Sequence, residues 1–236
     1  YQLARASGCR TAKVKVAEPG QDLAADIERV AAVRDALGPD ANIRIDANGA
    51  WDVITAQLAI TRLEQAAGFL QYVEQPCQTL SELAELRRKT TVMLAADESI
   101  RNADDPRTIA GFNAVDVLVI KVQPLGGVWR ALEIIDAAGL PVVVSSAVET
   151  SVGLAAGIAL AAALPELPYA CGLGTATLLA QDLTDRPLIP EDGFVAVRRV
   201  TPDAALLTQA EPGLEDAAGI IQRMQLAAGV LEVGST

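Results

Sequence analysis

Charged side chains interrupt several runs of this sequence that are otherwise apolar. Lys13 and Lys15 lie two apart in Thr11-Ala12-Lys13-Val14-Lys15-Val16, so on a strand they share one face, opposite Ala12, Val14 and Val16. Asp46 follows Ile43-Arg44-Ile45, Glu74 follows Leu70-Gln71-Tyr72-Val73, Asp97 follows Val92-Met93-Leu94-Ala95-Ala96, and Lys121 sits near the end of the run 115–122. Each carboxylate stands where a strand would meet a loop. Three carboxylates gathered in one place repel one another unless a cation lies between them, and hard oxygen ligands with room for water and substrate suit Mg2+ or Mn2+. A carboxylate substrate held on such an ion loses its α-proton more easily, and lysine is the available base. Taken singly, each acid is better read as the cap of a following helix. Three on successive strands favour the shared site.

Composition narrows the chemistry further. The 236 residues include no histidine, which removes Ser-His-Asp and Cys-His nucleophiles, His-ligated zinc and any imidazole base. A formal net charge of −11 argues against nucleic acid and anionic membrane surfaces as partners. No apolar run reaches the length of a membrane span, the run 152–164 being short and rich in Ala and Gly, and no secretory signal pattern is present. Cys9, Cys77 and Cys171 are an odd number in a chain large enough to fold without staples, which points to reduced thiols and a cytoplasmic protein.

The elements that must position these residues follow from hydrophobic periodicity. Apolar runs at 11–16, 42–47, 70–73, 92–96, 115–122, 141–145 and 169–172 read as buried parallel strands. Amphipathic stretches at 22–37, 53–67, 80–89, 128–138 and 151–164, with a shorter one near 105–111, read as helices between them. Sustained alternation, with neither a Gly-rich dinucleotide loop nor a break in strand order, predicts a β/α barrel, with a doubly wound open sheet as the alternative. Only seven strands are found, so the first strand of a full barrel is expected to be missing. Residues 1–186 are expected to form the barrel and 187–236, rich in turn residues and then helical, an extension packed outside it.

This order puts Lys15 one strand before the three carboxylates and Lys121 one strand after, so the two amines should flank a bound ligand. Weaker signals lie at Ser145-Ser146 and Gly172-Leu173-Gly174-Thr175, which offer hydroxyls or backbone amides. The loop Gln123-Pro124-Leu125-Gly126-Gly127 reads as a turn rather than a phosphate cradle, since Pro124 removes a donor.

Together, Lys13-Val14-Lys15, Asp46-Ala47-Asn48-Gly49, Glu74-Gln75-Pro76, Asp97-Glu98-Ser99 and Lys121-Val122-Gln123-Pro124-Leu125-Gly126-Gly127 resemble the lysine-lysine, muconate-lactonizing-like branch of the enolase superfamily. Metal-assisted proton abstraction by a lysine is a general pattern of that superfamily. The resemblance implies a TIM-type (β/α)7β barrel that normally carries an N-terminal α+β capping domain, for which no counterpart is found here. It implies Asp46, Glu74 and Asp97 as ligands of Mg2+, with Mn2+ possible, and Lys15 as the base that later returns the proton. Lys121 would stabilise the enediolate, with Lys13 and Asn48 in support. The wording around 11–20, 74–77 and 171–175 further implies dehydration of a ring carboxylate with aromatisation, in menaquinone biosynthesis, with Ser145 and Gly172 near a succinyl end. Racemisation, epimerisation and cycloisomerisation of small carboxylates belong to the same branch, and a catalytically silent carboxylate-binding or scaffold barrel is the alternative from another class. The oligomeric state is left open.

Overall fold

A computed structural model describes residues 8–103, 106–211 and 217–233. Six parallel strands, β1 (Thr11–Lys15), β2 (Asn42–Asp46), β3 (Tyr72–Glu74), β4 (Leu94–Ala96), β5 (Val117–Lys121) and β6 (Val142–Ser145), lie side by side in chain order. Helices α1 (Leu23–Leu37), α2 (Val53–Ala67), α3 (Leu80–Arg87), the short α4 (Glu98–Arg101), α5 (Val128–Ala138) and α6 (Ser151–Ala163) separate or follow them. The expected helix near 105–111 is a 3-10 segment, Pro106–Phe112, and Asp105 lies outside the described residues. Beyond the sheet come α7 (Ala204–Ala210) and α8 (Ala217–Val233).

The helix starts are set by local chemistry. Asp22 accepts from the Ala25 amide at 2.9 Å, Asp52 from the Thr55 amide at 2.7 Å, and Thr79 forms a reciprocal capping box with Glu82. Gly139, in the left-handed region at φ 60°, ends α5 with its amide bonded to Ile135.

Strand alternation sorts the side chains into two layers. Val14, Ile43, Ile45, Val73, Leu94, Leu118, Ile120, Val142 and Val144 pack outward with helix residues such as Ile60, Leu63, Leu83 and Leu86. Tyr72, Ala95, Val117, Val119 and Val143 form a separate inner cluster, joined by Met93 and Tyr169. The same two-residue period turns the charged residues of β1, β2, β3 and β5 inward with that inner cluster.

The expected seventh strand is reduced to a single bridge, Ser145↔Gly172. The Gly172 amide donates to Val144 at 2.9 Å and its carbonyl accepts from Ser146 at 3.1 Å, but pairing goes no further. Here the neighbouring strand lies on one side only among the described residues, and Gly172 brings no side chain to pack. Residues 190–197 run between this bridge and the start of β1. A Cβ on Gly8 would stand 2.8 Å from Asp192, and one on Gly174 would stand 3.1 Å from Pro190. Leu188 is buried, while Val195 and Val200 lean on the core. None of Cys9, Cys77 and Cys171 is in a disulfide, and among the described residues no helix is long and apolar enough to cross a membrane.

Candidate active site

Parallel register places the acidic residues on adjacent rungs: Lys15 pairs with Asp46 across β1 and β2, and Asp46 with Glu74 across β2 and β3. Asp97 lies one residue past β4, and Lys121 closes β5. The capping explanation fails at these positions. Asp97 precedes α4 without a side-chain cap bond, and α2 and α3 are capped by Asp52 and Thr79 instead.

Lys13, Lys15 and Lys121 pair with the carboxylates. Lys13 Nζ spans Asp46 Oδ2 at 2.9 Å and Glu74 Oε1 at 2.6 Å. Lys15 Nζ reaches Asp46 Oδ2 at 2.5 Å and Asn48 Oδ1 at 2.7 Å, while Lys121 Nζ reaches Asp97 Oδ2 at 2.5 Å. The Asn48 backbone amide also donates to Asp46 Oδ1 at 3.1 Å, and its side-chain amide donates to Glu98 Oε1 at 3.0 Å. The two flanking lysines therefore do stand on opposite sides of the acid cluster, on β1 and β5. Lys13 lies between two of the acids.

Burial and charge set the protonation of this group. Asp46, Glu74 and Asp97 are almost wholly shielded from solvent. Burial pushes the Glu74 carboxyl up, the Asp46 charge adds to the rise, and Lys13 only partly offsets it, leaving Glu74 at about 7. Burial pulls the Lys13 ammonium down, but Glu74 and Asp46 outweigh it and hold Lys13 above its ordinary value. For Asp46, burial works upward, yet Lys13 and Lys15 bring the carboxyl below its ordinary value.

Because Glu74 titrates at about 7 when folded and near 4.5 when unperturbed, the folded metal-free chain carries an extra proton between those values. Its stability should therefore rise as pH falls from about 7 to 4.5. Urea unfolding across that window, with EDTA present, should show the rise, and Glu74→Gln should remove most of it.

The donor set fits a hard divalent cation: every acidic atom is a carboxylate oxygen, and Glu74 Oε2 is buried with no hydrogen-bond partner among the described residues. Among the described residues, though, no three acids converge as a formed metal site. Ammonium groups hold the oxygens that an ion would take, so ion binding requires Lys13, Lys15 and Lys121 to release theirs.

A cavity of about 660 Å3 opens inside the barrel, with Lys13 and Glu74 at one end, Ser145 and Gly172 in the wall, and Phe194 and Val197 from the chain beyond. Lys15, Asp46, Asp97 and Lys121 are not in its lining. A Cβ at position 172 would stand 2.7 Å from Ser145 Oγ. Gly172→Ala should thus turn the Ser145 hydroxyl and cost about 1–2 kcal/mol, with adding Ser145→Ala recovering most of the loss in urea titrations.

Residues 1–214 match the family described as "Enolase C-terminal domain-like". The chain belongs to this family. A curated o-succinylbenzoate synthase from Thermobifida fusca is 60% identical over 210 residues, covering 89% of this chain and 66% of the relative. One from Mycobacterium ulcerans is 56% identical over 205 residues, covering 87% and 61%. The chain thus spans just under two thirds of the length of these relatives. Among solved structures, muconate lactonizing enzyme from Pseudomonas putida shares the fold at TM-score 0.77 and 24% identity, covering 88% of this chain and 60% of that one. A dipeptide epimerase from Enterococcus faecalis superposes at TM-score 0.70 with 30% identity, over 81% and 56%.

Within this family frame, three residues stand out that the motif reading left unassigned. Gln75, buried and at φ 39°, accepts from the Asp97 and Ser99 amides at 3.0 and 3.1 Å, so it fixes the turn that carries Asp97. Arg44 points into the cavity between the rings of Tyr72 and Tyr169, 4.7 and 5.8 Å from their centres. It donates to Gln71 Oε1 at 2.7 Å and the Ala170 carbonyl at 2.8 Å, while Nη2 is buried without a partner among the described residues. The signal was present: Arg44 interrupts an apolar strand on the same face as Asp46. Glu149, in the loop after β6, is buried, and burial raises its carboxyl.

Proposed function

We propose that this chain is the catalytic barrel of an o-succinylbenzoate synthase, dehydrating 2-succinyl-6-hydroxy-2,4-cyclohexadiene-1-carboxylate to 2-succinylbenzoate in menaquinone biosynthesis in the cytoplasm. The observation that carries the reading is the placement of Lys15 and Lys121 on opposite flanks of Asp46, Glu74 and Asp97. Asp46, Glu74 and Asp97 would hold Mg2+, or Mn2+, and the bound ion would acidify the proton α to the substrate's ring carboxylate. Lys15, as the free amine, removes that proton. Lys121, as the ammonium, faces the developing negative charge from the far side. The electron pair then expels the ring hydroxyl, which takes a proton from Lys15 and leaves as water, so the ring gains its third double bond and the base is regenerated. Lys13 neutralises Asp46 and Glu74 until an ion takes their oxygens, and Asn48 orients Lys15.

A dicarboxylate substrate fits the cavity's electrostatics. Arg44 offers one unmet buried donor there, and a second carboxylate beside Ser145 and Gly172 would satisfy it. The opposed lysines also suit racemisation of an N-succinylamino acid, in which one lysine removes the α-proton and the other delivers one.

The deciding experiment uses the full-length enzyme with Mg2+, following formation of the aromatic product. Turnover that stops with EDTA, together with a KM raised about tenfold or more by Arg44→Met, is the expected result. No dehydration, but deuterium incorporation into N-succinylamino acids in heavy water, would replace this reading by the racemase. Neither reaction with intact ligand binding would leave a binding protein.

A further inference from the structure

We infer that Asp26 and Arg29, on the outer helix α1, form a clamp that positions Lys15, an inference that rests on the proposed role of Lys15 as the base. Lys15 is the last residue of β1, and among the described residues only β2 pairs with β1. The next amide, Val16, still donates to Asp46 at 3.0 Å. The Lys15 carbonyl is held instead by Arg29 Nη1 at 2.6 Å. That same nitrogen donates to Asp26 Oδ1 at 2.9 Å, and Asp26 Oδ2 accepts from the Ala17 amide at 2.8 Å. One buried carboxylate thus grips the chain on the far side of Lys15, directly at Ala17 and through Arg29 at Lys15 itself. Glu18 stands 3.9 Å from Arg29, a looser neighbour.

Two features set this apart from ordinary helix chemistry. The start of α1 is already capped by Asp22, so the helix does not need the Asp26 side chain, which is 2% exposed and directed at the strand end. Ala17 adopts φ 58°, a left-handed conformation that a residue with a Cβ avoids unless something holds it, and Asp26 bonds its amide. The path of residues 15–17 sets the direction in which Lys15 leaves the barrel wall. Asp26 and Arg29 touch neither substrate nor ion in this account. They are positioning residues.

Arg29→Met in the full-length enzyme is the test. Because small misplacement of a reacting group lowers the rate of the chemical step, kcat should fall about tenfold to a hundredfold, while KM and the Kd for Mg2+ stay within about twofold, since the metal ligands lie on other strands. Arg29→Lys, whose ammonium still reaches the carbonyl, should recover most of kcat. Amide exchange read by peptide mass should rise for residues 14–18 and stay level in β2 to β6. An unchanged kcat, a joint loss of kcat, KM and metal affinity, or a lysine variant no better than methionine would overturn the clamp. If the unmodified enzyme does not form the aromatic product, it is the functional reading that fails. Exchange then decides the clamp alone: a rise confined to 14–18 supports it, and no rise overturns it.

Discussion

Lys15→Ala in the full-length enzyme is expected to lower kcat by about a hundred- to ten-thousand-fold, the usual contribution of a positioned base, with Mg2+ binding retained. The two halves of that result have separate causes. Lys15 and Lys13 both bond Asp46 Oδ2, so removing the Lys15 amine leaves that oxygen with one competing ammonium instead of two, and metal affinity should hold or improve. Proton removal from the substrate has no replacement within this chain, which has no histidine and whose Lys13 lies two residues back from the end of β1. Lys121→Ala should also lose turnover, by about a hundred- to a thousand-fold, since it stabilises charge rather than moving the proton. Stopped-flow turnover and calorimetric Mg2+ titration on both variants measure the two quantities. Full activity in Lys15→Ala would end its assignment as base.

Asp46→Asn has the second largest expected effect and a different signature. Asp46 Oδ2 accepts from both Lys13 and Lys15, and Oδ1 accepts from the Asn48 amide. An asparagine can keep the contact to Asn48 but not the negative charge that two ammonium groups and a divalent ion all use. Mg2+ affinity should drop by at least about a hundredfold, exceeding the loss usual for an outer-sphere partner, and turnover should fall with it. The fold should survive, because Lys13 retains Glu74 and the helix caps lie elsewhere. A thermal melt near that of the parent beside a lost calorimetric signal is the predicted pattern. Unchanged Mg2+ affinity would show that Asp46 serves the lysines only.

Much of this site could be read from the sequence because strands advertise their inward face. Lys13, Lys15, Asp46 and Lys121 each interrupt an apolar run at two-residue period, and each points where that period says. Arg44 gives the same signal, and it lacked only a motif to draw attention to it. Gln75 gave none: its task depends on two amides beyond β4 that meet it only after folding. The Arg44 bond to Ala170 spans 126 residues, and no local pattern encodes such a contact. The bridging place of Lys13 was likewise hidden, since the spacing gives its face but not which carboxylates lie within reach. Apolar composition at 169–172 predicts a seventh strand but does not reveal whether a second neighbour exists to complete its ladder, and only the Ser145↔Gly172 bridge forms among the described residues.

The sequential strand order has a consequence for how the chain folds. Each strand's neighbour in space is its neighbour in sequence, so the sheet can grow from one end without closing a long loop first. The ion pairs follow suit: Lys15 meets Asp46 across 31 residues and Lys121 meets Asp97 across 24. This order allows the acid cluster to assemble one βα unit at a time. The Gly172 bridge belongs to neither of those ion pairs, since it pairs with Ser145 beyond β5.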